Sequence, residues 1–537
     1  MQTLTLKDAT VNNPTCSLAK SWVLSKRQLC DLECLLTHVY FPLEGFLDRE
    51  NYDSVCQTMR LKNGALCPMP VTLDVTSSFA SECEFGEEIL LVNEENQPLA
   101  SMIINAIWKP NKKQEAQLVF GTIDKHHPGV AYLYEKAGDW YLGGEITTLK
   151  PMIHYNFLNY RHTPAELKQL FKVYGWSKII AFQTRNPIHR AQYALIRQAT
   201  ETEDARLLIH PVIGMTMSGD VDPVIRVKCY EKILQRFAPH YALLSIVPMA
   251  MRMAGPREAL WHALIQKNYG VTHFIIGRDH ASPGLDGQNH AFYSIDAAQT
   301  LVQEHAKEIG IDILAFPTVV YVKEKSKYVS INDIGPEDTP LDILESELHR
   351  KLESCENIPD WYSFPEVLTI LKKAYPPKLT QGYTIFFTGQ LCSGKSTVVN
   401  ALLDKLLETN ARTVTLLDSD TPILPLGFMA AEITKHQGIV LCAAIAPLAS
   451  VRQVIRENVR QYGGFIEVYV SSPLLRGEDQ DVKGSYGVNN PFEPPISPEV
   501  TIDIISVSVN HAVDKILNKI ESLGYSWRHS LQELHVI

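Results

Sequence analysis

The sequence predicts a multidomain α/β protein in three consecutive parts, and three observations carry that expectation. The chain has 537 residues, about twice the length at which a single hydrophobic core stops growing. Near residue 165, short elements separated by turn residues give way to apolar strands leading into longer helical patterns, the alternation that builds helix-covered parallel sheets. A third part opens on an apolar run ending in Gly389-x-x-x-x-Gly394-Lys395-Ser396. The composition, 45% hydrophobic and 20% charged, fits a folded globular chain and excludes a disordered or fibrous one.

The first part, to about residue 160, holds short elements at 71–75, 88–92, 117–120 and 130–133 with no long amphipathic helix, which suits a mostly β or mixed module. His126-His127-Pro128-Gly129 reads as a turn, because adjacent histidines without a third ligand at usable spacing make a poor metal site. The middle part, 161–377, has a strand pattern over 176–182 before a helix over 187–200, and another over 272–276 before a turn at 277–284. Ligands of such sheets bind beyond the strand ends. The last part, 378–537, begins after a boundary stretch containing Pro376-Pro377 and Gly382.

Lys plus Arg number 50 against 60 Asp plus Glu, a formal charge of -10, with no long basic run. That excludes a nucleic-acid footprint, whereas a small anionic substrate needs only a local basic pocket. The ten cysteines are scattered, and Cys30 and Cys34 lack a second matching pair, so packed free thiols are expected and not a zinc site. Neither a signal peptide nor an apolar run of the ~20 residues needed to span a bilayer is present, so no membrane partner and a cytoplasmic setting are expected.

The loop at 389–397 lies between a strand-like run at 383–388 and a helix pattern at 397–407. In that context Gly389 and Gly394 let backbone N–H groups wrap phosphates, Lys395 reaches between them, Ser396 can ligand Mg²⁺, and Thr397 continues into the helix. The cofactor expected is Mg²⁺ with ATP. Asp418 and Asp420 end the next apolar run, where they can serve magnesium or an acceptor hydroxyl, or cap the following turn.

In the middle part, Gln183-Thr-Arg185-Asn186-Pro187-Ile-His189-Arg190-Ala-Gln192 lies where a strand becomes a helix. Asn186 suits an N-cap and Pro187 the first helical position, leaving His189 in the first turn. Arg185 can grip an oxyanion with two parallel donors, Gln183 can add a neutral donor, and His189 can steady a phosphate. His189 and Gln192, three apart, can face one ligand. The turn Gly277-Arg278-Asp279-His280-Ala281-Ser282-Pro283-Gly284 offers Arg278 and His280 to a polyphosphate. Met251 and Met253 can line a nucleobase pocket. Incidental polar residues at a helix start, a salt-linked turn and ordinary methionine packing are the corresponding structural alternatives.

The middle part resembles ATP sulfurylase, or sulfate adenylyltransferase, through QTRNPIHRA at 183–191, MRMAGPREALWHALIQKNYG at 251–270 and GRDHASPG at 277–284. Further likeness lies in RQLCDLE at 27–33, GTIDKHHPGVAYL at 121–133 and IPDWYSFPEV at 358–367. The resemblance implies a PUA-like N-terminal β-rich domain over 1–160 and a Rossmann-like nucleotidyltransferase domain over 161–377. It implies attack of a sulfate oxygen on the α-phosphorus of ATP, giving adenylyl sulfate and pyrophosphate. Gln183, Arg185 and Ala281 then form the sulfate site, and His189 with Arg278 and His280 the polyphosphate site, Asn186 and Met253 being further nucleotide contacts. Gln192 stands where the family usually has His, and Ile343-Leu344-Glu345-Ser346 where it usually has Ile-Ser-Gly-Thr.

Residues 378–537 resemble a P-loop α/β domain, adenylyl sulfate kinase, through FFTG-x4-GKST at 386–397, LLDSD at 416–420, FIEVYVSSPL at 465–474 and DVKGSY at 481–486. The implied reaction moves the γ-phosphate of ATP to the 3′-hydroxyl of adenylyl sulfate. An Arg- and Asn-bearing substrate segment is missing after Asp420, as is much of the lid before Asn490-Pro491-Phe492-Glu493. The expected ligands are ATP, sulfate and adenylyl sulfate, and the expected assembly is a homo-oligomer. The alternative is a catalytically degenerate nucleotide-binding regulatory or structural assembly protein.

Overall fold

The computed structural model describes residues 20–217, 219–390, 393–409, 412–418, 422–471 and 492–525. Leu391, Cys392, Asp420, the segment 481–486 and Asn490-Pro491 therefore lie outside the described residues. Contacts gather the chain into two compact units: Met1–Ile343 with Pro359–Ile370, and Leu344–Ile358 with Leu371–Ile537.

In the first unit a six-stranded sheet runs in the order Ser21–Val23, Glu88–Val92, Pro98–Trp108, Trp140–Thr148, Gly45–Phe46, with Leu73–Val75 also paired to Trp140–Thr148. Two of the short elements expected here are strands. The other two lie within helices Lys112–Phe120 and Pro128–Glu135. Asn111 caps the first by accepting from Gln114 N at 3.2 Å, and His127 Nδ1 accepts from Gly129 N at 3.1 Å to start the second. Burial of Ala116, Val119 and Phe120, and of Val130 and Leu133, follows helical spacing.

A second sheet has five parallel strands in the order Asp312–Ala315, His273–Ile276, Ile179–Phe182, Arg206–Ile209, Ala242–Leu244. The chain starts at the centre, adds two strands on one side, then crosses to add two on the other. In such sheets a ligand crevice is expected at the reversal, here between the ends of Ile179–Phe182 and His273–Ile276. One apolar core joins both sheets, with Leu32, Leu73 and Met102 in the same cluster as Trp261, Phe274 and Ile276. Within it, Arg252 Nη2 donates to both carboxylate oxygens of Asp31 at 2.7 and 2.6 Å, and both side chains are buried.

The second unit holds a five-stranded parallel sheet in the order Val414–Leu417, Ile439–Ala443, Tyr383–Thr388, Gly464–Ser471, Val500–Asp503. Alternate residues of its central strand serve opposite faces. Ile385 and Phe387 pack with helices Lys395–Thr409 and Val509–Ser522, whereas Phe386 packs with Ile423–Lys435 and Ala449–Arg460.

Candidate active sites

Strand Ile179–Phe182 ends at Gln183, and its parallel neighbour His273–Ile276 ends at Gly277. The loops 183–189 and 277–284 therefore leave the same edge of the sheet. Gln183 is buried; its Oε1 accepts from Gln266 Nε2 at 2.7 Å, and its own Nε2 has no protein partner. A buried donor left unpaired costs about 1–3 kcal/mol, so the position favours an acceptor ligand.

The next residues are held from beneath by helix Pro223–Leu234, which Asp222 caps by accepting from Val224 N at 2.8 Å. Arg226 Nη1 donates to the carbonyls of Arg185 and Val212, both at 2.9 Å, and Tyr230 Oη donates to Asn186 O at 2.8 Å. Four residues apart on one helix face, these two groups tie down the loop backbone at Arg185 and Asn186. Arg226 is fully buried, with Nε and Nη2 lacking acceptors. Arg185 is about one-fifth exposed, and one arm of its fork donates to the buried Asp220. Nη1 of Arg185 is committed to this carboxylate, so a grip with two parallel donors would come from Nε and Nη2.

The helix starts at Arg190, later than the expected Pro187, and its N-cap is His189, not Asn186. Tertiary contacts decide this, because Arg190 N donates to Tyr362 O at 3.1 Å and Arg190 Nε donates to Ser363 O at 3.1 Å. His189 is buried, its Nδ1 lies 2.7 Å from Ser363 Oγ, and its ring packs on Tyr362 with centroids 4.6 Å apart. Burial pulls its pKa down to about 4, so the imidazole is neutral at neutral pH. Gln192 turns back to the helix start, where its Oε1 accepts from His189 N at 3.1 Å. The residue is exposed at that end of the helix.

Across the crevice, Arg278 donates through Nε to Asp296 Oδ1 at 2.7 Å and through Nη2 to Asp296 Oδ2 at 3.3 Å. His280 is half-buried, and its Nε2 lies 2.8 Å from Nδ1 of the buried His262. Burial, helped by His262, lowers the His280 pKa to about 3. Beyond His262, Glu258 Oε1 is 3.5 Å away. Burial alone would raise this carboxyl, but His262 and the amides of Arg252 and Ala254 outweigh that and hold it below its usual range. Ala281 has φ 55° and its carbonyl accepts from Gly255 N at 3.0 Å; Met253, with φ 60°, is buried in the same junction. A left-handed non-glycine residue costs about 1–2 kcal/mol, and two of them meet where the loops converge.

In the second unit, Gly389 (φ 152°) and Gly394 (φ 81°) bracket the phosphate-binding loop. A Cβ at Gly389 would lie 2.3 Å from Val470 O, so the close turn demands glycine. Lys395 Nζ donates to Gly389 O and Gln390 O, both at 2.7 Å. Ser396 and Thr397 are exposed in the first turn of the helix, and Asp418 follows strand Val414–Leu417. This oxygen donor set fits magnesium held with ATP. Glu467, in strand Gly464–Ser471, is buried and paired with Arg452 at 3.1 Å and Arg456 at 2.8 Å, a structural role.

Asp220, Arg226, Tyr230, Gln266, His262 and Ser363 shape these sites without having been singled out from sequence. The i, i+4 spacing of Arg226 and Tyr230 was an available signal, and Ser363 sits within the motif at 358–367.

Comparison with known proteins matches the PUA-like domain at residues 3–151, ATP-sulfurylase at 158–374, and adenylylsulphate kinase in two stretches, 381–423 and 418–503. The two stretches overlap at 418–423, where the sequence lacks the segment expected after Asp420. The chain is 39% identical to a sulfate adenylyltransferase of Aspergillus fumigatus, the alignment covering 94% of this chain and 93% of that protein. Identity to the sulfate adenylyltransferase of Neurospora crassa is also 39%, with the same coverage. Among solved structures, a hexameric APS kinase from Thiobacillus denitrificans superposes with a TM-score of 0.75 at 31% identity, covering 95% of this chain and 94% of that one.

Proposed function

The chain belongs to the sulfate adenylyltransferase family, and from that premise we propose that the crevice between loops 183–189 and 277–284 is where the adenylyl group of ATP passes to sulfate. The overall reaction gives adenylyl sulfate and pyrophosphate. The observation that carries the assignment is the buried, unpartnered Nε2 of Gln183 beside the half-committed guanidinium of Arg185. Together they suit an oxyanion, with the backbone at Ala281 opposite. His189, neutral and fixed by Ser363, donates to the polyphosphate as an N–H group; Arg278 supplies charge, with Asn186 and Met253 as nucleotide contacts. Sulfate is already an anion, so positioning and charge compensation dominate over proton transfer.

In the second unit the geometry favours ATP at 389–397, with Lys395 turning from the loop carbonyls to the phosphates. Magnesium held by Ser396, with Asp418 nearby, would offset phosphate charge there. Further 3′-phosphorylation of adenylyl sulfate is the second reading, favoured by the two-part adenylylsulphate kinase match. The hexameric relative motivates a homo-oligomer. Among the described residues no helix is long and apolar enough to cross a membrane, which fits a cytoplasmic setting supplied with ATP. The deciding experiment incubates purified chain with ATP, sulfate and magnesium and separately resolves pyrophosphate, adenylyl sulfate and its phosphorylated product. No sulfate-dependent pyrophosphate at any magnesium or sulfate concentration would sink the assignment.

A further inference from the structure

The amide of Gln183 has two ends, and the protein satisfies one. Gln266 Nε2 donates to Gln183 Oε1 at 2.7 Å. Gln266 lies fully buried in helix Pro256–Asn268, and its own Oε1 is 2.8 Å from Nδ1 of His210, also fully buried beyond strand Arg206–Ile209. An amide oxygen can only accept, so His210 carries its proton on Nδ1 and leaves Nε2 as a lone pair. Nε2 of His210 is buried without a partner, and burial lowers the His210 pKa to about 4, both consistent with a neutral ring. Each donor thus dictates the orientation of the next group: His210 Nδ1–H sets Gln266, and Gln266 Nε2–H sets Gln183.

We propose that His210 and Gln266 are positioning residues that fix the polarity of Gln183, so that the crevice presents an N–H donor and never a carbonyl to the sulfate oxygen. This rests on the reading that Gln183 contacts sulfate. A reversed Gln183 amide would oppose two donors internally, Nε2 of Gln266 against Nε2 of Gln183, and would aim a carbonyl oxygen at an anion that can only accept. The relay makes both errors occur together, which is why a neutral side chain can discriminate for an oxyanion.

The test is steady-state kinetics of the full chain, with sulfate and ATP varied separately. Gln266→Glu places an acceptor-only carboxylate between His210 and Gln183 and draws Gln183 Nε2 inward. The sulfate KM is expected to rise about tenfold or more, the scale of a lost charge-assisted hydrogen bond, while the ATP KM stays nearly unchanged. Lowering the pH protonates the introduced carboxyl, restores a donor, and brings the sulfate KM back towards wild type; a residue that merely packs gives no such profile. Gln266→Met removes the donor without supplying an acceptor and is expected to raise the sulfate KM by less. A sulfate KM that is unchanged in Gln266→Met, or that in Gln266→Glu rises no more than the ATP KM, overturns the proposal. Gln183→Ala separates the two levels: if it leaves the sulfate KM unchanged, the sulfate-site reading fails and the relay with it. If Gln183→Ala raises the sulfate KM while both Gln266 variants leave it flat, the relay alone fails.

Discussion

Gln192 Oε1 accepts the backbone N–H of His189 at 3.1 Å, so the side chain at the family's usual histidine position closes the start of a helix here. A helix start leaves several amides unsatisfied, and a lost cap costs about 0.5–2 kcal/mol. Gln192→Ala should therefore lower the urea midpoint and, by loosening His189, reduce turnover. Gln192→Glu keeps the acceptor and adds a negative charge at the amide end, so its midpoint should hold while ATP affinity falls. Equal loss of stability in both variants would remove Gln192 from the cap.

Ser363 holds His189 through a 2.7 Å contact to Nδ1. Ser363→Ala should leave His189 free to rotate and lower kcat by about tenfold, the scale of about 1.4 kcal/mol, with little change in the sulfate KM. An unchanged kcat, with the fold intact by circular dichroism, would show that the ring is held by packing on Tyr362 alone.

Three imidazoles, those of His189 and His210 buried and that of His280 half-buried, set a pH dependence of stability. In the unfolded chain histidine titrates near 6.5, whereas burial lowers His189 and His210 to about 4 and His280 to about 3. Between those values the unfolded chain binds more protons, so acid favours unfolding. Stability is complete above about pH 6.5 and is lost as the pH falls towards 4 and below. Urea midpoints should be lower at pH 5 than at pH 7.5, and His189→Asn should flatten the difference.

How far the sequence reveals these sites depends on whether the deciding contact is local. The strand ends before Gln183 and Gly389 and the glycine spacing after the second are legible because these features lie within a few residues of one another. The partner of His280 is harder to read, because His262 lies eighteen residues earlier, buried in helix Pro256–Asn268. The helix start moved from Pro187 to Arg190 because Tyr362 and Ser363, far along the chain, accept the hydrogen bonds that fix it. In the N-terminal sheet region, the apolar runs at 117–120 and 130–133 were too short for their period to separate helix from strand, and the caps at Asn111 and His127 decided the outcome.

Arg185 couples the crevice to Asp220. Arg185→Ala should reduce sulfate-dependent pyrophosphate release by about 100-fold, since a methyl group cannot replace a charge-assisted oxyanion contact worth up to about 3 kcal/mol. Asp220→Asn keeps the shape but weakens the orienting pair, and a smaller rise in sulfate KM is expected. Should Asp220→Asn instead match Arg185→Ala, the carboxylate itself would have to be counted among the groups the reaction needs.

On the proposed reading each unit holds its own ATP site, and Lys395 distinguishes them. Its ammonium donates to Gly389 O and Gln390 O, a reach that also brings it over the β- and γ-phosphates of a nucleotide seated on the loop. Lys395→Ala removes that mobile charge and leaves the loop amides and the glycine geometry in place. Calorimetric titration of the wild-type chain with a non-hydrolysable ATP analogue and magnesium should give two sites per chain, and Lys395→Ala should leave one at unchanged affinity. The same substitution should spare sulfate-dependent pyrophosphate release, because that reaction belongs to the other unit, and should abolish any phosphorylated adenylyl sulfate. If Lys395→Ala retains two full-affinity sites, nucleotide is not held at 389–397, and the last unit keeps its parallel sheet for a role other than ATP binding.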